Sequence, residues 1–97
     1  MAKFLVSGRR RDLVVLVYAM GDPREQALKR ALETHYEDRI SPSEFYGAVE
    51  ALVDHGFVRK TADGVHDRVS LTEAGERALL DHYEWMTEQI EETGQSG

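Results

Sequence analysis

Ninety-seven residues make one domain, and 41% apolar side chains give it a modest core that so short a chain buries marginally without help such as oligomerisation. There is no cysteine, which excludes a disulfide framework, a thiolate nucleophile and a Cys-type zinc site. The formal net charge is −6, but residues 72–97 alone carry seven acidic and one basic side chain, so the rest is balanced. Basic charge gathers at Lys3, Arg9, Arg10 and Arg11, and again at Arg59, Lys60 and Arg68. Such acidity suits a high-salt cytoplasm. No apolar run approaches the roughly 20 residues of a membrane span. The short piece Phe4-Leu5-Val6 is not followed by a signal-peptide core, and a cytoplasmic location is expected.

Residues 1–8 read as a flexible arm. A helix is predicted from about Arg9 to Met20, with Leu13, Val14, Leu16, Val17 and Met20 on its apolar face. The run Val14-Val15-Leu16-Val17 is compatible with a strand, but the segment's length and lack of strict alternation favour a helix. Gly21-Asp22-Pro23 breaks the chain, and Asp22 before Pro23 reads as a cap followed by a first helical residue. The second helix is expected from Pro23 to about Tyr36, followed by the short acidic loop Glu37-Asp38-Arg39.

The next start is strongly specified. Ser41 can cap the free N–H groups of the first turn, Pro42 fits the first helical position, and Glu44 can close a capping box. Ile40 and Phe45 stand where a hydrophobic staple belongs. Phe45, Val49, Leu52 and Val53 recur at helical spacing, and Gly56 is the stop. Residues 57–60 and 65–71 then read as strands around Asp63-Gly64, a hairpin signal. Thr72 can cap a long final helix ending near Glu92, with Gly75 tolerated in its first turn and a flexible tail over 93–97.

The predicted architecture is mainly α with a small β-hairpin: a winged helix-turn-helix over 9–71, then a long C-terminal dimerisation helix over 72–92. In such units the third helix enters the DNA major groove beside the hairpin wing. The ordered motifs Arg11-Asp12-Leu13, Phe45-Tyr46, Leu52, Gly56-Phe57-Val58 and Ser70-Leu71-Thr72-x-x-Gly75 resemble those of PadR-like winged-helix transcriptional regulators. The chain looks most like the short members from salt-loving archaea and their viruses, which carry one C-terminal helix. The resemblance implies dimeric, sequence-specific binding of double-stranded DNA to control transcription; no cofactor is expected.

On that reading Ser41, Ser43, Glu44, Tyr46 and Gly47, in the first turns of the third helix, face base edges. Ser41 and Glu44 serve equally as caps, and Tyr46 as a half-buried packing residue. Glu44 can accept from a cytosine amino group. The third helix has no Lys or Arg, so phosphate attraction falls to Arg9, Arg10, Arg11, Arg59, Lys60 and Arg68, with Lys29 and Arg30 as further candidates. Arg68, near Asp63 and Asp67, is equally an ion-pair candidate. In the last helix Leu79, Tyr83, Met86 and Ile90 follow heptad spacing, with Trp85 adjacent, and are the expected dimer seam; its first turns are expected to pack on the chain's own core, leaving the half from Tyr83 to Ile90 for a partner. His35, His55, His66 and His82 lack metal-ligand spacing, so no metal site is expected. No catalytic constellation or Gly-rich phosphate loop is present, and an enzyme is not expected. A winged helix turned protein-interaction module is the alternative.

Overall fold

The computed structural model describes residues 8–96, with side chains up to Glu92. Most of the expected N-terminal arm lies outside the described residues, as does Gly97. The order is α1 (Gly8–Met20), α2 (Glu25–Tyr36), α3 (Pro42–Asp54), β1 (Val58–Asp63), β2 (His66–Leu71) and α4 (Glu73–Ser96). This is the expected mainly α chain with one antiparallel hairpin and a long last helix.

α1 forms despite its β-branched run because Leu13, Val14 and Val17, at helical spacing, all enter the core. They meet Leu28 and Leu32 from α2, Phe45, Val49 and Leu52 from α3, Val58 and Val69 from the hairpin, and Ala78 and Leu79 from α4. Met20, expected on the apolar face, is exposed, because α1 turns its next face, with Val15 and Tyr18, outward as well.

The second helix starts two residues later than expected. Asp22 adopts a left-handed conformation (φ 47°) and does not cap. Pro23 is buried, and its carbonyl accepts the Val69 N–H at 2.9 Å. With the isolated Arg24–Arg68 bridge this holds the segment extended against β2. The helix then begins at Glu25, with Arg24 as an N-cap that makes no side-chain bond.

The turn between α2 and α3 is closed by Glu33, whose Oε2 accepts from the Ile40 N–H at 2.9 Å and from Lys29 Nζ at 3.1 Å. The Ile40 bond, then Lys29, holds this carboxyl below its ordinary pKa. Ser41 caps α3 as expected, its Oγ accepting from the Glu44 N–H at 3.2 Å. Ile40 and Phe45 are both buried at the helix entry, where the staple puts them. Gly56 (φ 78°) ends the segment, and the Phe57 N–H reaches back to the Leu52 carbonyl at 2.9 Å.

The hairpin pairs Val58 with Leu71 through to Asp63 with His66. Its two-residue turn is Gly64-Val65, one residue past the expected centre. Gly64 supplies the positive φ (67°) that such a turn needs at its first central position. Thr72 caps α4, its Oγ1 accepting from the Gly75 N–H at 3.1 Å and donating to the Gly56 carbonyl at 2.6 Å. The α4 backbone stays helical to Ser96, past the expected end near Glu92. The lone Gly94 costs about 1 kcal/mol relative to Ala and does not break a helix by itself.

Candidate nucleic-acid interface

The outer side of α3 is formed by what the core leaves behind. Phe45, Val49 and Leu52 point inward, so Ser43, Gly47, Glu50 and Asp54 share one exposed line, with Tyr46 beside it. Ser43 Oγ lies 3.4 Å from Ser41 Oγ. Tyr46 is half-exposed and stands edge-on to Phe45, centroids 5.2 Å apart. Between α1 and α3 runs a groove of about 590 Å³ lined by Arg9, Arg10, Asp12, Tyr36, Glu44 and Gly47. At its floor the Tyr36 hydroxyl donates to Asp12 Oδ2 at 2.5 Å. Burial and this carboxylate push the phenol up to about 12.

The basic residues expected to hold DNA divide into groups. Arg9 reaches α3, its Nη1 donating to Glu44 Oε2 at 3.3 Å. The Glu44 carboxylate is thus turned toward Arg9, and the capping box keeps only its Ser41 half. Lys60 also faces α3: Nζ lies 2.9 Å from Glu50 Oε1, 3.4 Å from Glu25 Oε2 and 6.0 Å from the Tyr46 ring centroid. The Glu50 bond, with Glu25 behind it, raises the lysine pKa and keeps it charged. Strand alternation puts Arg59 on the other side of the hairpin from Lys60, and Arg68, paired with Thr61, joins that outer side. There Arg68 Nε donates to Asp63 Oδ2 at 2.7 Å and Nη1 to the Asp22 carbonyl at 3.0 Å. Arg68 in turn lowers the Asp63 pKa. So α3 gathers Arg9 and Lys60 but not Arg59 or Arg68. Arg10 lines the α1–α3 groove, whereas Arg11 lies on the α4 side of α1, beside Asp12 and His82.

Glu25 and Glu50 were not legible as site residues. Lys60 lies ten positions from Glu50 and thirty-five from Glu25, and only the folded hairpin brings them together.

The expected seam on α4 also divides. Leu79 is 8% exposed and belongs to the chain's own core, whereas Tyr83, Met86 and Ile90 are 63%, 38% and 66% exposed. With Val15 and Tyr18 of α1 and Leu80, Tyr83 and Met86 border two adjoining apolar grooves, and Ile90 lies beyond them on α4. His82, on the same helix, is buried against Trp85, centroids 5.6 Å apart. Burial, then Arg11, lowers its pKa.

Among the described residues no group of three His, Asp or Glu side chains is placed to hold a metal ion. No helix there is long and apolar enough to cross a membrane.

No family model matches the chain, and no curated protein matches it. Solved structures do. RosR of H. salinarum superposes with a TM-score of 0.73 at 27% identity, over 92% of this chain and 76% of that one. A MarR transcriptional regulator from Methanosarcina mazei Go1 gives 0.75 at 22% identity, over 96% of this chain and 60% of that one. F93 from STIV, a winged-helix DNA-binding protein, gives 0.65 at 21% identity, over 79% and 84%. The fold is a winged helix. α3 is the third helix of that unit, β1 and β2 form the wing, and α4 is the long last helix.

Proposed function

We propose that the chain is a homodimeric, sequence-specific DNA-binding transcriptional regulator of the PadR-like kind, acting in the cytoplasm. α3 enters the major groove, the wing lies along the backbone, and α4 joins two copies. The observation that carries this reading is the side chains presented by the recognition helix of a winged-helix unit. Ser43, Tyr46, Gly47 and Glu50 are exposed on α3, flanked by Arg9 on one side and Lys60 on the other. The similarity to F93 from STIV, a winged-helix DNA-binding protein, supports it, as does the ordered motif set from Arg11 to Gly75. Exposed Tyr83, Met86 and Ile90 support a second copy along α4. Twofold symmetry would set two α3 helices about one helical turn of DNA apart, roughly 34–36 Å.

The test is a mobility-shift titration of promoter duplexes, including the chain's own upstream region, over a wide salt range. A salt-dependent shift with dimer stoichiometry is expected, and no shift of any duplex at any salt refutes the reading.

One observation favours a second reading, a winged-helix protein-interaction module. α3 exposes Glu44, Glu50 and Asp54 and carries no cation of its own. A chain that shifts no duplex yet forms a stable complex with a basic protein partner would establish that reading instead.

A further inference from the structure

Several basic side chains of the winged unit are already paired within the chain, three of them on or beside α3 and the wing. Arg9 is held by Glu44 at 3.3 Å, Lys60 by Glu50 at 2.9 Å and Glu25 at 3.4 Å, and Arg68 by Asp63 at 2.7 Å. The Glu44 and Glu50 side chains are 56% and 54% exposed, so both carboxylates stand at the surface rather than in the core. Glu50 lies mid-line on the exposed side of α3, between Gly47 and Asp54.

We propose that Glu44 and Glu50 are specificity-determining residues: each occupies a basic side chain, Arg9 or Lys60, and releases it to a phosphate only where the DNA offers base-edge donors to the carboxylate. The inference rests on the DNA-binding reading and deepens it.

Sequence-independent affinity comes from Lys and Arg neutralising phosphates and releasing counterions. A guanidinium already on a carboxylate gains little by moving to a phosphate, because one ion pair replaces another. The abandoned carboxylate then faces a polyanion without a partner. Random DNA therefore gains little from these two cations. A site presenting the N4 amino group of cytosine or the N6 amino group of adenine in the major groove changes the balance. The carboxylate accepts from that amino group, Arg9 is released to the backbone, and Lys60 keeps only the longer Glu25 contact at 3.4 Å, so both exchanges close. α3 has no arginine for the common bidentate contact with guanine, so its readout runs through acceptors and hydroxyls. The carboxylates thus lower affinity for all DNA and lower it least for the right sequence.

The experiment uses the full chain, a duplex enriched by the wild type from a random pool, and a random duplex, each titrated over a range of KCl. The variants are Glu44→Gln with Glu50→Gln, Glu50→Gln alone, and Asp54→Asn. Asp54→Asn removes one charge from the same exposed line without releasing Arg9 or Lys60. For the double variant, affinity for the random duplex is expected to rise about tenfold and its log–log salt slope to steepen by about 0.9 for each additional phosphate neutralised. The preference for the enriched duplex falls at least tenfold, the scale of one lost base contact. Glu50→Gln alone shifts slope and preference in the same direction, and Asp54→Asn shifts them less. Unchanged slope and preference overturn the proposal. So does tighter binding to both duplexes with the preference intact, or an Asp54→Asn effect equal to that of Glu50→Gln. If neither the wild type nor any variant binds any duplex, the DNA-binding reading itself has failed.

Discussion

Gly75 is the position at which one methyl group tests how α4 is mounted on the winged unit. It is buried in the first turn of α4. A Cβ there would collide with the Phe57 carbonyl oxygen and stand 2.9 Å from its carbonyl carbon and 3.2 Å from its Cα. The obstacle is backbone, so no rotamer change relieves it. Nor can that backbone retreat freely, because the Phe57 carbonyl accepts the Thr72 N–H at 3.1 Å and the neighbouring Gly56 carbonyl accepts Thr72 Oγ1 at 2.6 Å. Overpacking costs about 1–3 kcal/mol, and each weakened hydrogen bond about 1 kcal/mol more. Alanine's helix propensity returns about 1 kcal/mol. Gly75→Ala is therefore expected to destabilise by about 2 kcal/mol, which lowers Tm by roughly 8–16 °C in a domain of this size. Gly47→Ala is the control: its Cβ meets nothing within 4 Å on a helix interior, and a gain of about 0.5–1 kcal/mol is expected. Thermal and urea unfolding followed by circular dichroism measure both. A Gly75→Ala protein as stable as the wild type would refute the close-approach argument.

Other expectations follow from the same geometry. Phe45→Ala empties the largest fully buried side chain and is expected to cost about 3–5 kcal/mol, read as a lower urea midpoint. Ser41→Ala removes the α3 cap and is expected to cost about 1 kcal/mol by the same measurement, with the fold intact. Tyr83→Arg combined with Ile90→Arg places charge on exposed apolar positions, so light scattering is expected to show a monomer in place of the proposed wild-type dimer. A wild type that is monomeric at every concentration removes that prediction together with the seam. For pH, the His82 pKa lies below 6.5 in the fold, so the unfolded chain takes up the proton first. Its effect on stability is therefore neutral above about pH 6.5 and unfavourable as pH falls below it, and His82→Gln is expected to flatten that limb of the unfolding profile. The groups facing His82 across the groove are Arg11, which opposes its protonation, and Asp12. Glu33 and Asp63 have lowered pKa values, so their contribution is present above their ordinary values of 4.5 and 3.8 and is lost only as pH falls through the lower folded ones.

The elements were most legible where a local rule acts alone. Ser41, Thr72, Gly56 and Gly64 each satisfy a backbone requirement within a few residues of themselves, and each does what its residue type predicts. Asp22-Pro23 misled because a tertiary bond outweighs a local signature: the Pro23 carbonyl is taken by Val69, forty-six positions away, which keeps that segment extended. Leu79 was undecided for another reason. Its spacing fits the α4 seam and the core equally well, and only the position of α1 decides that it lies inward. The site was legible as a list of basic residues, but of its ion pairs only Arg68 with Asp63, five positions apart, was legible. Which cation meets which carboxylate depends on the side of the hairpin each residue occupies, and that is fixed by a register no local motif encodes.

α4 does two different things along its length, and their junction links stability to the proposed DNA reading. Up to His82 its inward residues, Gly75, Ala78, Leu79 and His82, are buried against the winged unit. From Tyr83 to Glu92 no described side chain is buried, although Tyr83, Trp85, Met86 and Ile90 are large and apolar. At about 1.5 Å per residue the helix spans roughly 36 Å, a large part of the molecule's 52 Å long axis. If two copies join along the outer part, as proposed, the distance between their α3 helices is set by the angle at which α4 leaves the wing. That angle is fixed by the Thr72 cap on the Gly56 carbonyl and by the absence of a Cβ at Gly75. A substitution at Gly75 that still folds must tilt α4 away from Phe57. It should then lower affinity by misplacing two intact reading heads, and a duplex with altered half-site spacing should restore part of the loss.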